Sequence, residues 1–194
     1  KSGERGIFNR VASQKQAAKW GRRDPNLNYG TNPCSEIILR DKQFCNLTEV
    51  VIREEDTQET LLEKVRVATV LGTFQSTLDK FQFLSADWHK NTTEERLLGV
   101  SLTGIMDSKM MANPDPKFLE QMRDEARKTN EKYAKLLDVP VSAAISCIKP
   151  SGTVSQLASC SSGIHSRHSP YYIRTVRTDK KDALYEFLKE KGVP

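Results

Sequence analysis

The segment Thr31-Asn32-Pro33-Cys34-Ser35-Glu36 places an amide, a thiol and a carboxylate within five residues, the densest polar constellation in the chain. An amide can hold a hydroxyl, a thiol can act as a nucleophile or one-electron donor, and a carboxylate can take a proton. In an extended segment, alternation would point Asn32, Cys34 and Glu36 the same way. The same residues also fit a plain turn set by Pro33, with Cys34 a small buried residue and Glu36 a solvated strand-edge charge.

Two further motifs lie downstream. Phe44-Cys45-Asn46-Leu47 puts a second thiol eleven residues after Cys34, and two strands joined by a short turn can bring those thiols together. A lone Cys45 would be a small hydrophobe; paired with the first motif it is a candidate redox thiol. Lys149-Pro150-Ser151-Gly152-Thr153-Val154-Ser155 follows an apolar run. Small hydroxyl residues and a glycine at a helix start offer donors to a phosphate. The segment fits a phosphate site or an ordinary capped turn, and it lacks the spaced glycine and Gly-Lys-Ser/Thr ending of a Walker A loop.

The elements that must position these residues follow from periodicity. A short helix is expected over Val11 to Trp20 and a loop from Asp24 to Gly30. Strands are expected at Ile37 to Leu39 and Leu47 to Ile52, where β-branched residues cluster. Asp56 with Glu59 reads as a capping box before Leu61, Leu62, Val65, Ala68, Leu71 and Leu78 at helical spacing. Further helices are expected from Thr93 to Ser108 and from Asp115-Pro116 to Leu137. Ala143 to Ile148 reads as a buried strand, Ser151 to Ser162 as a loop and small-residue helix, and Tyr171 to Val176 as a strand. Asp182 to Lys191 reads as a helix stopped by Gly192. Helices separating short apolar strands predict an α/β architecture, with residues 1–194 forming one segment without repeats.

Composition narrows the class. The 194 residues are 37% hydrophobic, enough for an ordinary core. No run approaches the roughly 18 apolar residues of a membrane span, and no signal peptide is visible, so a cytoplasmic location is expected. The net charge of +5 comes from 30 basic residues interspersed with 25 acidic ones; this reads as a mixed solvated surface rather than direct nucleic-acid binding. Four cysteines without a secretory signal argue against a disulfide scaffold. A start at Lys1 rather than Met is what a fragment, spliced product or split subunit would show. Zinc held by Cys147, Cys160, His165 and His168 is an alternative, weakened by the absence of a Cys-x-x-Cys nest. A non-catalytic nucleic-acid module rests on charge alone.

Taken in order, the three motifs resemble adenosylcobalamin-dependent (class II, monomeric-type) ribonucleotide reductases. So do Gly163-Ile164-His165-Ser166-Arg167-His168-Ser169-Pro170-Tyr171-Tyr172-Ile173-Arg174, Gly99-Val100-Ser101-Leu102-Thr103-Gly104-Ile105-Met106-Asp107, and the early Ser2-Gly3-Glu4-Arg5-Gly6-Ile7-Phe8-Asn9. The chain departs from the family at Arg5, where proline is usual, and at Ser35, where glycine is commoner.

The resemblance implies part, the second half, of a ten-stranded α/β barrel around a finger loop whose tip carries the radical cysteine. By this likeness Cys34 becomes a thiyl radical with adenosylcobalamin as cofactor, Glu36 is the general base, Asn32 binds the ribose hydroxyls, and Cys45 is one redox-active thiol. Ser151, Gly152, Thr153, Val154 and Ser155 would hold the substrate phosphates. The implied reaction reduces ribonucleotides, by family likeness the triphosphates, to deoxyribonucleotides for DNA replication. It also implies an upstream segment supplying the partner cysteine, thioredoxin or a similar dithiol as reductant, and an effector site outside this segment. Cys147 and Cys160 match none of these positions and are expected to be structural.

Overall fold

The structure, a computed structural model, describes residues 6–173 and 175–193. Ser2 to Arg5 of the early motif and Arg174 lie outside the described residues.

The chain begins with α1 (Arg10–Ala18), capped by Asn9 through a bond from Ala12 N. A hairpin follows, in which β1 (Tyr29–Thr31) and β2 (Ile38–Arg40) are antiparallel. Next come β3 (Asn46–Val51), α2 (Gln58–Gln75), α3 (Ala86–Glu95) and β4 (Leu98–Thr103). β3 and β4 are parallel neighbours, from Asn46 opposite Leu98 to Val51 opposite Thr103, and the connection between them runs through α2 and α3, as a parallel pair requires. Then follow α4 (Lys109–Ala112), α5 (Pro116–Leu136), α6 (Val154–Leu157) and α7 (Ala183–Glu190). The architecture is α/β. The described residues form two two-stranded sheets, and no helix among them is long and apolar enough to cross a membrane.

The core lies between the β3–β4 pair and the helices α2 and α5. Val50 and Ile52 from β3 and its end, Leu98 and Val100 from β4, Leu61, Val65 and Ala68 from α2, and Phe118, Met122 and Ala126 from α5 are all buried together. These residues recur at four- and three-residue steps on α2 and at four-residue steps on α5, the apolar stripe that an α-helix needs to face a sheet. Asp115 accepts from Lys117 N at the start of α5, with Pro116 in the first turn.

Several expectations required correction. Residues 93–108 are not one helix: α3 ends at Glu95, Arg96 turns the chain with φ 40°, and β4 follows. β4 is a parallel strand covered on both faces, so its sequence is a continuous run without the alternation that marks a half-exposed strand. The capping box of α2 is made by Thr57 and Thr60; Asp56 instead accepts from Arg53 N and Lys64. Residues 171–173 and 175–176 form no strand: among the described residues none pairs with them in a ladder. Residues 144–147 do run beside β4, through Leu98 N to Ala144 O, Val100 N to Ile145 O and Cys147 N to Val100 O.

Candidate active site

The hairpin tip carries the first motif as a turn. Ser35 N donates to Asn32 O (3.0 Å), Asn32 N to Ile37 O (3.3 Å), and Ile37 N to Asn32 Oδ1 (3.1 Å). The side chains therefore do not follow strand alternation. Cys34 is exposed at the apex, whereas the Glu36 side chain is turned inward and only 7% exposed. Ser35 has φ 65°, a region that favours glycine, which gives the departure at this position a physical meaning. Ser35→Gly is expected to stabilise by up to about 1 kcal/mol and Ser35→Val to destabilise by about 1–2 kcal/mol. Thermal unfolding checks both, and equal midpoints for all three proteins would contradict the turn.

A buried ion pair anchors the hairpin. Arg23 donates to Glu95 through Nε (3.0 Å to Oε1) and Nη2 (2.8 Å to Oε2) and reaches Ile38 O through Nη1 (2.9 Å). The two charged side chains are 7% and 8% exposed. Gln43 Nε2 adds a bond to Glu95 Oε2 at 2.6 Å. Such a two-pronged guanidinium–carboxylate contact fixes orientation as well as distance, so β2 is held against the C-terminal end of α3.

Cys45 immediately precedes β3, and Gly99 of β4 leaves a gap beside it. A Cβ at Gly99 would stand 3.4 Å from Cys45 Sγ and 3.1 Å from Cys147 Sγ, so both thiols lean over the same glycine. Burial, then the neighbouring Cys147 and Glu36, push the Cys45 thiol up to about 12. Burial and Glu36 push Cys147 up to about 11. Both are neutral thiols at neutral pH. They approach from the strands on either side of β4, which sets their backbones roughly 9–10 Å apart at ordinary strand spacing. That exceeds the span of about 7 Å that a disulfide can bridge. Cys45 therefore needs another partner to form one.

Lys149 links the first and third motifs. Its Nζ lies 2.7 Å from Glu36 Oε1 across 113 residues of sequence, and its backbone N donates to Ser101 Oγ of β4 at 2.7 Å. Burial would raise the Glu36 carboxyl, but the hydrogen bond from Lys149, with smaller help from Asn32 and the backbone, outweighs it and holds the group below its usual value of 4.5. The resulting stabilisation is present above that unfolded value and is lost as pH falls through the lower folded one. Glu36 Oε2 remains buried without a hydrogen-bond partner.

In the third motif, Ser151 (φ 51°) and Ser155 are buried, and both hydroxyls lack a partner. Thr153 and Val154 are exposed. The loop is backed by Cys160, whose Sγ donates to Ser155 O (3.6 Å) and lies 3.8 Å from Thr103 Oγ1. Gly163 passes so close to Lys149 O that a side chain there would collide with it. His165 meets Ser162 Oγ through Nδ1 (2.8 Å) and stands over Gly152. Among the described residues no three His, Cys, Asp or Glu side chains are grouped to hold a metal, so the zinc alternative has no geometry behind it.

The structure thus gathers Asn32, Cys34 and Glu36 at one tip, sets Cys45 and Cys147 beneath it, and joins the tip to the loop at 151–155 through Lys149. Sequence reasoning missed Arg23, Glu95 and the roles of Lys149 and Cys147 in this arrangement. Lys149 lay inside a recognised motif, but nothing local marked its partner.

No protein-family model matches the chain. The chain is similar to the adenosylcobalamin-dependent ribonucleoside-triphosphate reductase of Lactobacillus acidophilus, at 30% identity over 98% of this chain and 29% of that protein. It is 32% identical to the probable enzyme of that name in Dictyostelium discoideum, over 84% of this chain and 21% of that protein. The Levilactobacillus brevis enzyme is 28% identical over 98% of this chain and 29% of its own length. The fold is similar to the crystal structure of a B12-dependent (class II) ribonucleotide reductase, with a TM-score of 0.56, 24% identity and coverage of 70% of this chain and 22% of that one. The chain therefore spans between a fifth and a third of the proteins it matches.

Proposed function

We propose that this chain, a homologue of one segment of the adenosylcobalamin-dependent ribonucleoside-triphosphate reductases, carries the radical-bearing part of a ribonucleotide-reducing centre within a larger assembly. The observation that supports it best is the Lys149–Glu36 contact. It joins the tip bearing a thiol, an amide and a carboxylate to the loop of small hydroxyl residues. A nucleotide needs both, one for its ribose and one for its phosphates.

Cys34 is the thiol that fits the radical role, since it is exposed at the apex and uncovered by this chain. Most of the surface for a corrinoid belongs to other segments. Adenosylcobalamin, when bound, supplies the one-electron oxidation that turns the Cys34 thiol into a thiyl. The thiyl takes the 3′-hydrogen of the ribose, and Glu36 takes the 3′-hydroxyl proton as the 2′-hydroxyl leaves as water. Asn32 Oδ1 is occupied by Ile37 N, so its amide NH2 is the group that can donate to ribose. Cys45 and a cysteine from another segment each give up one hydrogen, one to the departing water and one to C2′, and join as a disulfide, while Cys34 returns the hydrogen to C3′ and Glu36 returns its proton to the 3′-oxygen. The sum is ribonucleotide plus two thiols giving deoxyribonucleotide, water and a disulfide, which a dithiol such as thioredoxin then reduces.

The wider reading follows the same lines. Ser151, Gly152, Thr153, Val154 and Ser155 form the phosphate site for a triphosphate. The β3–β4 pair with residues 144–147 beside it is a piece of the ten-stranded barrel, with residues 1–194 a single segment of it. The exposed Tyr171, Ile173 and Val176, with Leu184 and Phe187 of α7, are apolar surface of the kind an assembly covers. The enzyme works in the cytoplasm, where thiols remain reduced.

The test is reconstitution of the complete assembly with adenosylcobalamin, a ribonucleoside triphosphate and a dithiol. Cys45→Ser is expected to leave radical formation intact while cutting dithiol-driven turnover to a background level. Rapid-freeze electron paramagnetic resonance and product counting separate the two, and undiminished multiple turnover by this variant would remove Cys45 from the dithiol.

A further inference from the structure

Glu36 is a buried carboxylate whose two oxygens have different surroundings. Oε1 receives the Lys149 ammonium at 2.7 Å, whereas Oε2 is buried without a partner. Lys149 is itself fixed at both ends: its backbone N is bonded to Ser101 Oγ of β4, and its carbonyl is pressed by Gly163, where only a glycine fits. The ammonium is thus delivered from backbone tied to β4, with its side chain 23% exposed. The other ionisable groups around the carboxylate are Cys45 and Cys147 beneath it, with Cys34 near the Lys149 ammonium; Arg23 and Glu49 act on those thiols from further off. Among them Lys149 is the cation bonded to Glu36.

We propose that Lys149 is a positioning residue for the base: it occupies Glu36 Oε1 and so leaves Oε2 as the oxygen that receives the substrate's 3′-hydroxyl proton. This rests on the reading of Glu36 as the general base. Three consequences follow from the geometry. A buried carboxylate that loses its cation takes up a proton more readily, because burial is then opposed only by the smaller contributions of Asn32 and the backbone. A protonated Glu36 cannot accept a second proton, so the chemical step slows while substrate binding does not. And because Lys149 opens the loop that continues through Ser151 to Ser155, the base and the phosphate site are held by one stretch of backbone.

The experiment uses the reconstituted assembly with Lys149→Met, Lys149→Arg and Glu36→Gln. Infrared difference spectra, taken without cofactor or substrate, follow the protonated carboxyl band that Glu36→Gln removes. Lys149→Met should move its midpoint upward by at least one pH unit, and Lys149→Arg should restore it. In turnover, Lys149→Met should lower kcat at pH values below the raised midpoint, where Glu36 is protonated, by roughly 10²-fold, the usual scale of a general base. The acid limb should shift upward, KM should change less than threefold, and the cobalt–thiyl signal should be retained as the check on folding. An unmoved carboxyl midpoint in Lys149→Met overturns the proposal, as does a KM that rises alone, which would make Lys149 a phosphate ligand. Full turnover by Glu36→Gln would instead overturn the base reading, whatever Lys149 does.

Discussion

Cys34→Ser in the complete assembly is expected to abolish deoxyribonucleotide formation and, with it, the electron paramagnetic resonance signal of a coupled cobalt–thiyl pair. A serine O–H bond is too strong for the exchange that a thiol S–H permits, so the substitution removes the radical carrier and leaves the shape of the turn. Cys34 is exposed at the apex, and exposed substitutions away from caps and buried networks change stability by no more than about 0.5 kcal/mol. The unfolding midpoint of Cys34→Ser should therefore match that of the parent. Loss of both activity and signal in a normally folded protein assigns the radical to this sulfur; a persisting signal places it elsewhere.

Glu95→Ala should produce the largest loss of stability, about 3–5 kcal/mol, because it leaves the Arg23 guanidinium buried without its counter-charge. The pair is less than a tenth exposed on both sides, and Gln43 shares the same carboxylate. Arg23 also holds Ile38 O of β2, so the finger tip should loosen with it and turnover should fall beyond what the folded fraction explains. Urea unfolding measures the first effect, and turnover corrected for folded fraction the second. An Arg23→Met, Glu95→Leu double variant should regain much of the stability, since breaking a buried pair costs more than replacing it. A loss below 1 kcal/mol for Glu95→Ala would show that the hairpin is held by other contacts.

The readable parts of this chain were those in which chemistry and local spacing coincide. Asn32, Cys34 and Glu36 lie within five residues and Cys45 eleven further on, so one hairpin and the strand after it suffice to carry them. α2 and α5 were legible because an amphipathic stripe records the side on which the core lies. β4 was not, since a strand covered on both faces loses its alternation and its small residues fit a helix equally well. Residues 171–173 and 175–176 have strand composition but no strand partner among the described residues, and composition cannot supply one.

By itself the sequence determined the reactive groups, their order and the helices that build the core, because those depend on side-chain type and on periods of two to four residues. The turn at the tip already separates from that information: exposed Cys34 and inward Glu36 follow from φ at Ser35 and from bonds to Asn32, not from alternation. Tertiary structure alone decided that Glu36 meets Lys149, that Arg23 meets Glu95, and that Cys45 and Cys147 share the gap at Gly99 as free thiols. These contacts join residues 72 to 113 positions apart, or strands brought together by a crossover through two helices. Their energies come from burial and geometry that exist only after the parallel sheet has formed, so no local pattern in the chain encodes them.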